Sequence, residues 1–236
     1  MNILPVFYIQ NTMNQEFYKN LIGEIPSRVT LIAVSKTKPE SDILTLYELG
    51  QRHFGENWAQ ELRQKHEDLP KDICWHFIGH LQTNKIKYII PYVHLIHSID
   101  SFHLLEEVNR QAEKCGRVVP CLLQFHIATE ETKFGFSLEE CFQMIENQEF
   151  KKLQNIELRG VMGMSSVTDD QSQIRREFAQ LRTYYDELKQ NFFSHQDSFK
   201  EISMGMSGDY PIAIEEGSTM IRVGSAIFGA RDYGKG

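Results

Sequence analysis

Residues 31–36 read Leu-Ile-Ala-Val-Ser-Lys, and residues 220–228 read Met-Ile-Arg-Val-Gly-Ser-Ala-Ile-Phe. Both open as continuous apolar, β-branched runs rather than alternating ones, the pattern of parallel strands covered on both faces. Each also carries a cation, Lys36 or Arg222, where an apolar run would be expected to continue. Six further runs lie between them, at 53–57, 74–79, 93–98, 118–127, 156–163 and 200–206. Eight strand–helix units of roughly 30 residues each predict a single (β/α)8 TIM barrel in the α/β class, spanning 1–236 as one domain. A doubly wound open sheet, with about five or six strands and two free edges, is the alternative. In the barrel, chemistry belongs at the C-terminal strand ends, and strand 8 must close on strand 1.

The intervening segments read as helices. Over 169–193, Ile174, Phe178, Leu181, Tyr185, Leu188 and Phe192 recur at steps of four and three and form one apolar stripe. Thr168 with Gln171 predicts a capping box, and Ser137 with Glu140 repeats it before Leu138. Pro39 and Pro211 sit where a first helical turn accepts proline. A helix over 14–23 precedes the first strand, and the charge-rich stretch 60–68 reads as a solvated helix face.

Composition narrows the function classes. Hydrophobic residues make up 41% and charged residues 24%, which excludes disordered and fibrous classes. With 25 Lys+Arg against 32 Asp+Glu the net charge is −7, not the basic surplus of a nucleic-acid-gripping protein. No apolar stretch reaches about 18 residues, so no membrane span is expected. The Ile3–Ile9 run has no Lys or Arg before Lys19, so it lacks the basic region of a secretory signal. Cys74, Cys115, Cys121 and Cys141 show no close pairing, which speaks against disulfides and a cysteine zinc site and for a cytoplasmic location. The nine histidines show no metal-binding spacing on a helix, so no metal is expected, and His76 reads as a satisfied core group.

Three candidates carry chemistry. Lys36 ends the first strand over an apolar floor, where a desolvated amine attacks an aldehyde; the plainer reading is a lysine snorkelling outward. Met204-Gly205-Met206-Ser207-Gly208-Asp209 follows the seventh strand, where barrels often bind phosphate; an ordinary capped turn uses the same groups. Arg222 and Gly224 share one face of the eighth strand, and an inward arginine needs either a structural carboxylate or a ligand. Gly224 and Ser225 add donors beside it, and Asn57, at the end of the second strand, adds a polar edge. Only a closed barrel makes these residues neighbours. Pyridoxal phosphate would offer an aldehyde to Lys36, a phosphate to Ser207 and Ser225 and a ring nitrogen to Arg222; a phosphosugar for a Schiff-base aldolase would use a similar lysine and cup.

Several longer stretches carry a resemblance. They are Ala33–Pro39 (AVSKTKP), Phe54–Asn57 (FGEN), His76–Gly79 (HFIG) with Leu81–Lys85 (LQTNK), Ser203–Ser207 (SMGMS) and Gly217–Gly229 (GSTMIRVGSAIFG). In order and from about residue 30 onward, they resemble the pyridoxal phosphate homeostasis protein family. The resemblance implies an alanine-racemase-like barrel with pyridoxal phosphate held as a Schiff base on Lys36. It implies phosphate contacts from Ser207, Gly224 and Ser225, Arg222 facing the pyridine nitrogen, and Asn57 beside the cofactor. It also implies a cytoplasmic monomer that buffers the cofactor and delivers it to apo-enzymes without catalysing a reaction. His126, where the family usually has Asn, and Gly208 and Pro211, at the turn after strand 7, depart from the family's usual residues.

A weak amino-acid racemase or related enzyme on the same cofactor is the rival reading. It requires a second acid/base group opposite Lys36, which the related racemase draws from a tyrosine of its extra domain. Tyr210 and Tyr233 lie near the loops where such a group would be needed. An arginine at the ring nitrogen disfavours the protonated ring and so weakens its capacity to accept carbanion electrons.

Overall fold

Eight parallel strands close into a barrel in the order β1 to β8, with β8 pairing back onto β1. The structure is a computed structural model that describes residues 13–130 and 134–229. Ile3–Ile9 and Tyr233 lie outside the described residues. The strands are β1 Thr30–Val34, β2 His53–Glu56, β3 Cys74–Phe77, β4 Leu95–Ile99, β5 Val119–Gln124, β6 Ile156–Met162, β7 Glu201–Ser203 and β8 Met220–Val223. The helices are α1 Gln15–Glu24, α2 Glu40–Glu48, α3 Ala59–Asp68, α4 Phe102–Lys114, α5 Leu138–Glu146, α6 Gln171–Asn191, α7 Tyr210–Glu215 and α8 Ser225–Phe228. Between β3 and β4 the crossover is a 3-10 helix, Thr83–Tyr88.

Alternation along the strands divides the apolar residues between two cores. Ile32, Leu95, Leu122, Met162 and Met220, one from each of five strands, form one cluster that fills the inside of the barrel. Their strand neighbours Leu31, Ala33, Ile96, Cys121, Leu123, Val161 and Ile221 belong to the larger cluster between strands and helices. Fully parallel sheets need both faces covered, and this division supplies the cover.

The capping box of Ser137 and Glu140 forms as the sequence predicts: Glu140 N–H donates to Ser137 Oγ at 3.2 Å, and Ser137 N–H donates to Glu140 Oε2 at 2.8 Å. The start of α6 differs. Asp170, not Thr168, is the N-cap, and its carboxylate accepts from Ser172 N–H and Gln173 N–H. An ionised carboxylate at the positive helix end outcompetes a hydroxyl. The eighth strand ends at Val223, five residues short of the expected end, because the chain turns at Gly224 into α8. That turn puts Gly224 and Ser225 across the rim of the barrel. Nor is 60–68 wholly solvated: Leu62 and Lys65 of α3 are buried, Lys65 with only 4% of its surface exposed.

Candidate functional site

The β1–β8 pairing places Ile32 beside Arg222 and Ala33 beside Val223, so the segments that follow these strands meet at one mouth. There a cavity of about 240 Å³ is lined by Lys36, Asn57, Ser207, Arg222, Gly224 and Ser225. All six residues singled out in the sequence therefore converge on one space. Ile78, Met164 and Met206 give it apolar walls, and Lys38 contributes a second lysine that sequence reasoning passed over.

Lys36 sits on a loop held on both sides. Ser35 N–H donates to Gly55 O at 3.0 Å, and Ser35 Oγ donates to Glu56 Oε1 at 2.6 Å. Thr37 N–H donates to Glu61 Oε1 at 2.7 Å. Lys65 Nζ donates to Ser35 O, Glu56 Oε1 and Glu61 Oε1, each at 2.8 Å. Thr37 takes φ 62°, the left-handed region that a β-branched residue enters only at a cost of about 1–2 kcal/mol. The anchors on either side of Lys36 hold that conformation, so the direction of the Lys36 side chain is set by a network that never reaches the cavity. Burial pushes the Glu56 carboxyl well above the usual carboxylate range, and the Lys65 ammonium pulls it back. Lys38 Nζ donates to Phe228 O at 2.8 Å and ties the same loop to α8.

Arg222 projects inward from β8 with 4% of its surface exposed. Its Nη1 donates to Ser203 Oγ at 2.6 Å and its Nη2 to Gly163 O at 3.0 Å. Both acceptors are neutral, and among the described residues Arg222 forms no ion pair. Desolvation pulls its pKa down to about 10, with the Asp209 charge opposing, so it remains cationic at neutral pH. Behind it runs a row of imidazoles: His97 Nδ1 lies 2.9 Å from Ser203 Oγ, His76 Nδ1 lies 2.8 Å from His97 Nε2, and His53 Nδ1 lies 2.9 Å from His76 Nε2. Burial holds His76 and His97 well below the ordinary imidazole value, so both are neutral. His76 is thus a satisfied core group, as its sequence context suggests.

On the opposite rim, Ser207 Oγ accepts from Gly224 N–H at 3.3 Å, joining the loop after β7 to the start of α8. Asp209 fixes the β7 loop, its Oδ1 accepting from Met206 N–H at 2.5 Å and its Oδ2 from Ser165 Oγ at 2.7 Å. Gly205 takes φ +94°, the left-handed region that side chains rarely enter, and an added Cβ there would meet Ala213 Cβ at 2.6 Å. Gly79 is needed for a different reason: a Cβ there would lie 2.4 Å from Asn57 O. Asn57 Oδ1 is buried without a hydrogen-bond partner beside the cavity, a polar atom that a ligand would satisfy.

Tyr210 opens α7 and does not line the cavity. His126 is also outside it, its Nε2 2.9 Å from Glu130 O. Among the described lining residues there is no carboxylate, imidazole, thiol or phenol; the lysines and Arg222 are the titratable groups. Sequence reasoning missed Lys65, Glu61 and Ser203. The available signal was the Glu61–Lys65 spacing of four, together with Glu56 where β2 ends.

The cavity suits a small molecule with an electrophilic carbon for an amine, an anionic group for the Ser207–Ser225 rim and a polar ring edge for Arg222. The comparisons with known proteins agree with that description. Residues 16–232 match the family model described as alanine racemase, N-terminal domain. The pyridoxal phosphate homeostasis protein of Vibrio alginolyticus is 40% identical over 217 residues, which covers 89% of this chain and 90% of that one. The protein of the same name from Escherichia coli is 37% identical over 224 residues, 90% of each chain. PipY of Synechococcus elongatus, solved with PLP bound, superposes with a TM-score of 0.82 at 37% identity, covering 91% of this chain and 99% of that one.

Proposed function

The chain belongs to the alanine racemase N-terminal domain family and, within it, to the pyridoxal phosphate homeostasis proteins; from that membership we propose that it binds pyridoxal phosphate and acts as an intracellular buffer and donor of the cofactor. The observation that carries this reading is the convergence of Lys36, Asn57, Ser207, Arg222, Gly224 and Ser225 on one small cavity. Lys36 Nζ would hold the cofactor through its aldehyde carbon as a Schiff base, water being the leaving group. Ser207 Oγ, Ser225 and the Gly224 backbone would hold the phosphate. Arg222 would face the ring nitrogen as a donor, and the unpartnered Asn57 Oδ1 would take a donor from the ring edge.

When bound, pyridoxal phosphate would supply an electron-accepting ring for carbanion chemistry. Two features of this chain work against using it so. Arg222 is cationic at neutral pH, and a donor at the ring nitrogen keeps a second positive charge off the ring. Beside Lys36, the described lining residues include no carboxylate, imidazole, thiol or phenol, and the second lysine, Lys38, is tied by its Nζ to Phe228 O at 2.8 Å, whereas exchange of a proton between two faces of a carbon needs a second acid/base group. Arg222 alone does not forbid racemisation, since the related racemase uses such an arginine; the want of a suitable second acid/base group among the described lining residues is what supports a carrier over an amino-acid racemase. Apo-enzymes dependent on the cofactor are the partners, in the cytoplasm, with the carrier as a monomer. Among the described residues, no helix is long and apolar enough to cross a membrane.

The test is an absorbance titration with pyridoxal phosphate on wild type and Lys36→Ala, followed by borohydride reduction and peptide mapping. A saturable band lost in Lys36→Ala, with the adduct on Lys36, is the expected result. An adduct spread over surface lysines would sink the reading. Loaded protein should then restore activity to an apo-enzyme while leaving L- and D-alanine unexchanged at Cα in deuterium oxide; steady deuterium incorporation would favour the racemase instead.

A further inference from the structure

His53 opens β2, His76 lies in β3, and His94 directly precedes β4. Three adjacent parallel strands thus each bring one imidazole toward the N-terminal end of the barrel, opposite the cavity. The ring centroids form a nearly equilateral triangle, 5.2 Å from His53 to His76, 5.2 Å from His76 to His94 and 5.6 Å from His53 to His94. One ring nitrogen of each lies within 4.8 Å of the other two. We propose that His53, His76 and His94 form a binding site for one divalent transition-metal ion that prefers imidazole nitrogen, with Zn²⁺ as its type.

The geometry is close to that of a three-histidine site. Metal–nitrogen bonds of about 2.0–2.1 Å at tetrahedral angles separate ligand nitrogens by about 3.3 Å. His53 Nδ1 and His76 Nε2 are 2.9 Å apart, so a small swing of the half-buried His53 ring opens the required space. The supporting shell is already present. With a metal on His76 Nε2, its Nδ1–H donates to His97 Nε2, 2.8 Å away, which is the outer contact that fixes the tautomer of a metal-bound histidine. The ion has a way in, since His94 and His53 each line an open cleft at the base. The single proton between His53 and His76 moves to the outer nitrogen of whichever ring carries it, Nε2 of His53 or Nδ1 of His76, so coordination requires a shift of tautomer along the row and no net loss of a proton.

The surroundings select among metals. Arg117 and Arg159 line the cleft beside His94. Arg159 Nε is paired with Glu157 at 2.7 Å, and Arg117 Nη2 donates to Val93 O at 3.0 Å. Asp72 lines the same cleft, but its oxygens accept from Tyr47 Oη at 2.7 Å and Arg52 Nε at 2.9 Å, and the all-imidazole ligand set disfavours Mg²⁺ and Ca²⁺, which need hard oxygen donors. Zn²⁺, Co²⁺, Ni²⁺ and Cu²⁺ draw their affinity from imidazole. Local spacing in the sequence gives no sign of the site because each ligand comes from a different strand, and only closure of the barrel brings them together.

Full-length protein stripped with a chelator tests the site, using Zn²⁺ in calorimetry and Co²⁺ as a visible probe. One Zn²⁺ per chain and a four-coordinate Co²⁺ spectrum are expected. Both should be lost in His53→Ala and in His94→Ala, chosen because these rings are half-exposed and His76 is fully buried. The melting temperature of wild type should rise with Zn²⁺, and that of the two variants should not. Lys36→Ala should bind Zn²⁺ as wild type does, which separates this site from the cofactor cavity. Absence of saturable binding would overturn the proposal, as would binding that survives in the His53→Ala/His94→Ala double variant. Loss of binding in Cys74→Ser while both histidine variants still bind would overturn it too.

Discussion

Lys65 and Arg222 are equally buried, each 4% exposed, yet they are used in opposite ways. Lys65, on the β2–α3 side, ends on two carboxylates and a carbonyl. Arg222, on the β7–β8 side, ends on a hydroxyl and a carbonyl. The first cation is neutralised within the protein and serves to anchor the loop that carries Lys36. The second keeps its charge unneutralised and turns it toward a cavity. Burial alone does not mark a functional cation; the charge of its partners does.

The largest expected effect breaks the first side of that contrast. Lys65→Met removes the counter-ion of Glu56, whose side chain is fully buried. Leaving one member of a buried pair costs about 3–5 kcal/mol, or roughly 10 °C of melting temperature at about 2–4 °C per kcal/mol for a chain of this size. Calorimetric melts of Lys65→Met and of Lys65→Met/Glu56→Leu would measure it, and the double variant should recover much of the loss. A single-variant loss under about 1 kcal/mol would show that the network is not anchoring the loop.

Arg222→Met sharpens the second side. It leaves Ser203 Oγ and Gly163 O short of a donor, a cost of about 1–3 kcal/mol, and it removes a desolvated charge at the same time. Stability should therefore fall less than in Lys65→Met, whereas loading with pyridoxal phosphate, followed by absorbance, should weaken markedly. Equal destabilisation in the two variants would erase the distinction between them.

The smallest effect is a slope. Burial raises the Glu56 carboxyl toward about 7, while Lys65 opposes the shift. Its folded value lies above its unfolded one, so its favourable contribution is complete below the unfolded value near 4.5 and is lost as pH rises through about 7. Urea unfolding between pH 5 and pH 8 should show Glu56→Gln losing stability less steeply than wild type with rising pH, by at most about 1.4 kcal/mol per pH unit. Parallel profiles would mean that Lys65 and Ser35 hold Glu56 ionised throughout.

Much of the architecture was legible because parallel strands write themselves as unbroken apolar runs, and all eight runs became strands. The mouth was legible because Lys36 and Arg222 interrupt such runs. Lys65 was not: in a row of charged residues, a lysine that turns inward has the same local signature as one that turns outward, and only the position of Glu56 tells them apart. The strand over 220–228 was overread, since Ser-Ala-Ile-Phe has the composition of a strand continuation and the turn at Gly224 depends on packing against Val34. The histidine row was hidden for the same reason as Lys65, its members lying 21 and 23 residues apart along the chain.

That row carries a consequence of its own. A neutral imidazole has one N–H, so His53, His76 and His97 can be strung together in only two ways, all pointing toward the base or all pointing toward the mouth. Pointing to the base, Ser203 gives its hydroxyl proton to His97 and accepts from Arg222 alone. Pointing to the mouth, Ser203 accepts from both, and its own proton must turn elsewhere. The barrel axis therefore has a polarity with two settings, and whatever fixes the setting at one end is registered at the other without any strand having to move.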